Sequence, residues 1–191
     1  GQGDLPNHHS EYTATNKRYV LDEGKDHIEV PLHIESDGVH YRKVYTFYRD
    51  SYYVDVRYEV QNNTNQKWQG YLYAQFVSTE TSDDENTSFL GLGRLPSYTG
   101  GAIYTPEEKY TKIGFDDMRE QPLVKNTTSG WVAMLQHYFV GALLAEKESQ
   151  YEFYSLVNGT GATTQYSIGY KHLTPLSVAA GRRGEVNWRM F

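Results

Sequence analysis

Cysteine is absent from the 191 residues, so a disulfide framework, a thiolate metal site and a thiol nucleophile are all excluded. Positive charge is scarce too: 18 Lys and Arg stand against 24 Asp and Glu, a formal charge of −6. A phosphate backbone is bound by clustered cations, so no nucleic-acid partner is expected. Long apolar runs are also missing. The longest, Trp131 to Ala145, is interrupted by Gln136 and His137 and falls short of the roughly 20 residues that span a bilayer core. The opening Gly1-Gln2-Gly3-Asp4-Leu5-Pro6-Asn7 has neither the charged nor the apolar region of a signal peptide. The chain is therefore expected to be soluble, with any export directed from outside it.

Aromatic residues are abundant. Eighteen Tyr recur among Val, Ile and Thr, the company of pleated, half-buried surfaces. Residues 28–34 alternate, with Ile28, Val30, Leu32 and Ile34 on one side. Pro31 within that run predicts an edge strand or a bulge. Asp37-Gly38 is a hairpin turn signal, followed by strands over Tyr41–Tyr48 and Tyr53–Val60. In the second, Val54, Val56, Tyr58 and Val60 face one way while Asp55, Arg57 and Glu59 face water. The cluster Gln61-Asn62-Asn63-Thr64-Asn65 closes this meander.

Further strands are predicted over Trp68–Val77, Tyr151–Val157, Thr163–Tyr170 and Glu185–Phe191. The run Trp131–Leu144 is ambiguous by period; its uncapped start and β-rich neighbours lead us to read one long central strand. Ser78 to Asn86 is polar and acidic and is read as an exposed loop. Thr105-Pro106-Glu107-Glu108 carries the cap, first-position proline and acids of a helix start, with Gly114 limiting that helix to a short one. Many strands, short turns and almost no helix make an all-β sandwich or barrel. No linker or repeat divides the chain, so a single domain over residues 1–191 is expected.

Three separated blocks resemble a known family. They are Gly100-Gly101-Ala102-Ile103-Tyr104-Thr105-Pro106-Glu107-Glu108-Lys109-Tyr110-Thr111-Lys112 with Phe115-Asp116, then Gly130-Trp131-Val132-Ala133-Met134-Leu135-Gln136-His137-Tyr138-Phe139, then Asn158-Gly159 with Ile168-Gly169-Tyr170-Lys171. In this order and spacing they resemble the large periplasmic domain of proteobacterial YidC-type membrane-protein insertases. The middle block is the most specific, and weaker similarity runs through Tyr19–Leu21 and Ile28–Asn62.

The resemblance implies a twisted β-supersandwich of the galactose-mutarotase-like kind, held between the first two membrane spans of an insertase in the periplasm of a Gram-negative cell. It also implies work beside the Sec translocon and its accessory proteins, on nascent inner-membrane proteins. Family strands before a segment like Asp4–Tyr19, and a helical stretch after one like Trp188–Phe191, have no counterpart here, so the domain is expected to be truncated at both ends. The family's hydrophilic intramembrane groove with its Arg has none either, so insertion itself is not expected of these residues.

The mutarotase relationship raises the alternative of a carbohydrate-binding or sugar-epimerising domain, in which a His acid and a Glu or Asp base face each other across a cleft. His137 is the only His in a strongly apolar run, and with no local carboxylate to orient it we read it as a strand-face residue. Fold alone does not supply a function. His8-His9 are read as a solvated pair, since neighbours on an extended chain point opposite ways. Gly91-Leu92-Gly93 lacks the context of a dinucleotide fingerprint. Of the carboxylate pairs Glu107-Glu108 and Asp116-Asp117, the first is read as capping residues, Asp83-Asp84-Glu85 as a solvated loop, and Arg182-Arg183 as a turn pair.

No catalytic residue, metal site or cofactor is therefore expected. Partner contact is expected within Ser78–Thr128, at Asp83, Asp84, Glu85, Tyr104, Glu107, Glu108 and Tyr110, because loops on a rigid scaffold are where partners dock. An open Tyr-rich face could also hold an extended apolar or sugar-like ligand.

Overall fold

The computed structural model describes residues 5–79, 98–147 and 149–191. The chain divides into two compact units, Gly1–Leu72 together with Thr174–Phe191, and Tyr73–Leu173.

In the first unit, β1 (Thr13–Ala14), β2 (His27–Ser36), β3 (Val39–Tyr48), β4 (Val54–Asn62) and β15 (Arg183–Met190) form an antiparallel series in the order β1-β2-β3-β4-β15. Asp37 and Gly38 both take positive φ, 51° and 75°, which is the two-residue turn whose twist matches its strands. The β2–β3 register runs without interruption from His27 opposite Tyr48 to Ser36 opposite Val39, so there is no bulge at Pro31. β1 covers only Leu32 and His33; Pro31 lies on the open edge beyond it, where a missing N–H costs least.

The alternation of β4 is realised as expected. Val56 and Val60 are fully buried and lie opposite Tyr45 and Tyr41 of β3. Burying each valine contributes roughly 1.5–3 kcal/mol. A short pair, β5 (Trp68–Gly70) with β14 (Leu176–Val178), supplies the cover: Val39, Tyr41, Val60 and Val178 pack with Trp68 and Leu176. The Trp68 indole N–H donates to the Tyr41 hydroxyl at 2.9 Å.

The second unit holds β6 (Tyr73–Thr79), β7 (Thr99–Thr105), β8 (Lys109–Ile113), α1 (Phe115–Glu120), β9 (Val124–Thr127), β10 (Gly130–Gln136), β11 (Phe139–Ala145), β12 (Tyr151–Asn158) and β13 (Gln165–His172). Two antiparallel four-strand series result, β11-β10-β7-β8 and β6-β13-β12-β9. They meet through small residues. A Cβ on Gly101 would lie 2.5 Å from Ile168 Cδ1 of β13 and 2.7 Å from Met118 Cε of α1, and one on Gly141 would lie 2.9 Å from the Phe76 ring of β6. Sheet packed on sheet with side chains interleaved is the all-β sandwich expected.

Four expectations need correction. Trp68–Val77 is two strands rather than one: it breaks at Tyr71-Leu72, and β5 and β6 pair with different partners. β6 continues through Ser78 and Thr79, so the exposed loop starts no earlier than residue 80, and its remainder lies outside the described residues, as does Gly91–Gly93.

Thr105-Pro106-Glu107-Glu108 is a hairpin turn, with Thr105 opposite Lys109. Thr105 Oγ1 does accept from the Glu108 N–H at 3.1 Å, but strand pairing on both sides captures the chain, and the helix begins only after Gly114, where Asp117 caps the Gly114 N–H at 2.7 Å.

The run Trp131–Leu144 is a hairpin of two strands that turns at His137-Tyr138, with Gln136 opposite Phe139. Its apolar continuity arises because both strands are covered over most of their length, and nothing in the composition marks the turn.

Candidate interaction surface

Register brings the expected contact residues of the β7–β8 hairpin together with one that was not anticipated. Tyr104 lies opposite Tyr110 on β8 and opposite Trp131 on β10, so three aromatic side chains form a row across three strands. The Tyr104 and Trp131 rings stack with centroids 6.1 Å apart and planes at 16°, and Tyr110 sits 6.0 Å from Trp131. Tyr110 is 50% exposed. Rings held against one another on a sheet lose little further rotamer entropy when a partner covers them, which favours them as contacts.

Charge borders this row. Glu108 pairs with Lys125 of β9, and Glu107 sits exposed in the turn between them. At the far end of β7, Tyr98 donates to the Gly101 carbonyl at 2.7 Å, and the Lys112 ammonium lies 4.5 Å from its ring. Burial, reinforced by Tyr110 and Asp117, pushes the Tyr98 phenol up to about 12. Asp83, Asp84 and Glu85 lie outside the described residues. Trp131 could have been found from sequence only once β7 and β10 were known to be neighbours; its own run gives no such signal.

A second feature lies in the first unit, a concavity of about 890 Å³ on the polar side of the β2–β3–β4–β15 series, lined by His33, Glu35, His40, Arg42, Glu59 and Arg183 among others. Its charges are mutually engaged. Glu59 accepts from Arg42 at 3.0 Å and from Arg57 at 2.7 Å, and Arg57 also reaches Glu29 at 3.3 Å. Burial would raise the Glu59 carboxyl, but the hydrogen bonds from Arg57 and Arg42 outweigh it and hold the group below its usual value. A carboxylate held ionised by two guanidiniums is a weak base near neutrality.

His40 lies 3.4 Å from Glu35, with both side chains about half exposed. His137 is in the β10–β11 turn at φ +53°, not within a strand, and does not line the concavity of the first unit. His8 and His9 occupy a turn in which their rings come within 3.9 Å, because the Asn7 side chain accepts the His9 N–H at 2.8 Å and bends the chain; the expectation of opposed side chains assumed extended backbone. Among the described residues no three His, Asp or Glu are grouped to hold a metal ion, and no helix is long and apolar enough to cross a membrane.

By fold, the protein is of the mutarotase-like β-sandwich class. It is similar to a galactose mutarotase related enzyme from Lactobacillus acidophilus, with a TM-score of 0.51 at 11% identity over 95% of this chain and 70% of that one. The family is shown by sequence. The model of the YidC periplasmic domain matches residues 1–191, and the chain belongs to that family; it is a periplasmic domain. Membrane protein insertase YidC of Methylobacillus flagellatus is 37% identical over 189 residues, covering 98% of this chain and 32% of the relative. The same-named protein of Azotobacter vinelandii is 34% identical over 180 residues, 94% of this chain and 31% of the relative. The chain thus spans about a third of the length of these curated relatives.

Proposed function

We propose that the chain is a non-catalytic interaction module of a membrane-protein insertase, which holds partner proteins at the periplasmic face while insertion takes place elsewhere. The carrying observation is the aromatic row of Tyr110, Tyr104 and Trp131. A preformed ring surface with Tyr110 half exposed and Tyr104 and Trp131 partly exposed, bordered by paired charge, has the composition of an interface centre with a polar rim. The partners proposed are the Sec translocon with its accessory proteins and nascent inner-membrane proteins. The Arg-clamped state of Glu59 and the turn position of His137 argue for binding over acid–base chemistry.

Point substitution is the appropriate probe, because Ser78–Thr128 contains β7, β8, α1 and β9, and deleting that segment would unfold the second unit. Tyr104→Ser with Tyr110→Ser in the intact insertase should reduce recovery of Sec components in a pull-down at least fivefold. Undiminished recovery would remove the row from the proposal. The concavity of the first unit favours one rival, a saccharide-binding domain, which predicts heat of binding for hexoses in calorimetry that disappears in Arg42→Ala.

A further inference from the structure

A second exposed apolar group lies outside the aromatic row. Tyr138, the most exposed large apolar side chain of the described residues at 97%, stands with Phe139 at 80% and Val140 at 46% at the tip of the β10–β11 hairpin. The tip is closed by strand pairing. Gln136 pairs with Phe139 and Leu135 with Val140, and just behind it the Phe76 ring packs against Gly141 closely enough to exclude any Cβ. His137 occupies the turn with φ +53°, where glycine or asparagine would relax the backbone. Two aromatic side chains are thus displayed to solvent on a paired hairpin, at a cost that burial within the chain does not offset.

We propose that this tip is a lipid contact, with Tyr138 and Phe139 entering the headgroup region of the bilayer. The inference rests on the reading that the domain works at the periplasmic membrane face. Two observations favour lipid over protein. Three side chains of this size offer about 500 Å² at most, below the roughly 800 Å² per partner of a stable protein interface, whereas a narrow wedge suits a soft medium. In addition, no Asp, Glu, Lys or Arg occurs from Gly130 to Ala145, so insertion desolvates no formal charge and sets no carboxylate against anionic headgroups. Tyrosine with an apolar neighbour is the pairing that settles at membrane interfaces. The five-residue step from Trp131 to Gln136 along β10 separates the aromatic row from the tip by about 17 Å.

These 191 residues hold no cysteine, and any cysteine elsewhere in the full-length protein is replaced by serine before labelling. An environment-sensitive fluorophore on Gln136→Cys reports beside the tip, and one on Val124→Cys, 70% exposed on β9, serves as the reference. Each is measured in the full-length insertase in vesicles of phosphatidylethanolamine and phosphatidylglycerol, and in the 191-residue chain tethered to the same vesicles by a terminal tag and chelating lipid.

The expected result is at least a twofold rise in emission at position 136 with quenching by headgroup-labelled nitroxide lipid, no change at 124, and loss of the response in Tyr138→Ser/Phe139→Ser. A response in the tethered chain keeps the inference even where the insertase reading fails. No response at 136 in either setting overturns it. So does a response that needs an added protein or a higher chain concentration without lipid, since it assigns the tip to a partner or to a second copy.

Discussion

A Cβ built on Gly130 would lie 2.0 Å from the carbonyl oxygen of Tyr104, and Gly130 itself has φ +124°. The glycine that starts β10 is therefore required twice, by its own backbone conformation and by the approach of β7. Gly130→Ala should cost at least about 2 kcal/mol, read as a lower urea midpoint. It should also separate the Tyr104 and Trp131 rings, changing the near-ultraviolet circular dichroism. An unchanged midpoint would refute the close approach.

Asn62 anchors the end of β4. It is fully buried, its amide donates to the carbonyls of Gln66, Val178 and Ala179 at 2.7, 3.1 and 3.2 Å, and its oxygen accepts the Thr64 N–H and hydroxyl at 3.1 and 2.7 Å. Asn62→Ala should lose about 2–3 kcal/mol. Asn62→Asp should lose more, because a carboxylate oxygen would then face three carbonyls. An Asn62→Asp midpoint equal to that of wild type would show that the donor half of the amide is dispensable.

The Arg42–Glu59–Arg57 cluster predicts an acid limb in the stability profile. A carboxyl whose folded pKa is depressed adds stability that is fully present above its unfolded value, about 4.5 for Glu59, and is lost as pH falls through the lower folded value. Glu59→Gln should lie below wild type at pH 7 and approach it as pH falls below the unfolded value and through the lower folded one. Urea midpoints from pH 3 to 7 decide the matter, and parallel curves would contradict it.

Lys43 stands on the apolar side of β3, opposite Leu32 and Tyr58. Its ammonium lies 4.5 Å from the Tyr12 ring, and burial lowers its pKa. Lys43→Met keeps the stem and removes the charge, so the variant should be more stable at pH 7 by about 0.5–1 kcal/mol. A lower melting temperature would mean that the cation–ring contact outweighs desolvation.

Legibility followed the period of each segment. β4 could be read face by face because Val54 to Val60 alternates without exception and one side is buried. The β10–β11 hairpin could not, since both its strands have covered faces and its turn residues, His137 and Tyr138, carry no turn signal. Thr105 caps no helix: its hydrogen bond with the Glu108 N–H fits a hairpin turn as well as a helix start, and only the pairing of Thr105 with Lys109 separates the two. Of the expected contact residues, Tyr104 and Tyr110 proved to be neighbours, whereas Trp131, 27 positions after Tyr104, joins them through long-range register alone.

By itself the sequence determined the all-β class, the apolar and polar sides of the regular strands and membership of the YidC periplasmic domain family, because period-two alternation and family motifs are local properties of the chain. Tertiary structure decided which strands are neighbours. It made a buried anchor of Asn62 in an apparent surface turn, clamped Glu59 between two arginines, and exposed Tyr138 and Phe139 from within an apolar run. Asn62 and Glu59 owe their partners in part to residues distant in the chain, Val178 and Arg42, whereas Tyr138 and Phe139 are exposed by strand pairing; local propensity encodes neither.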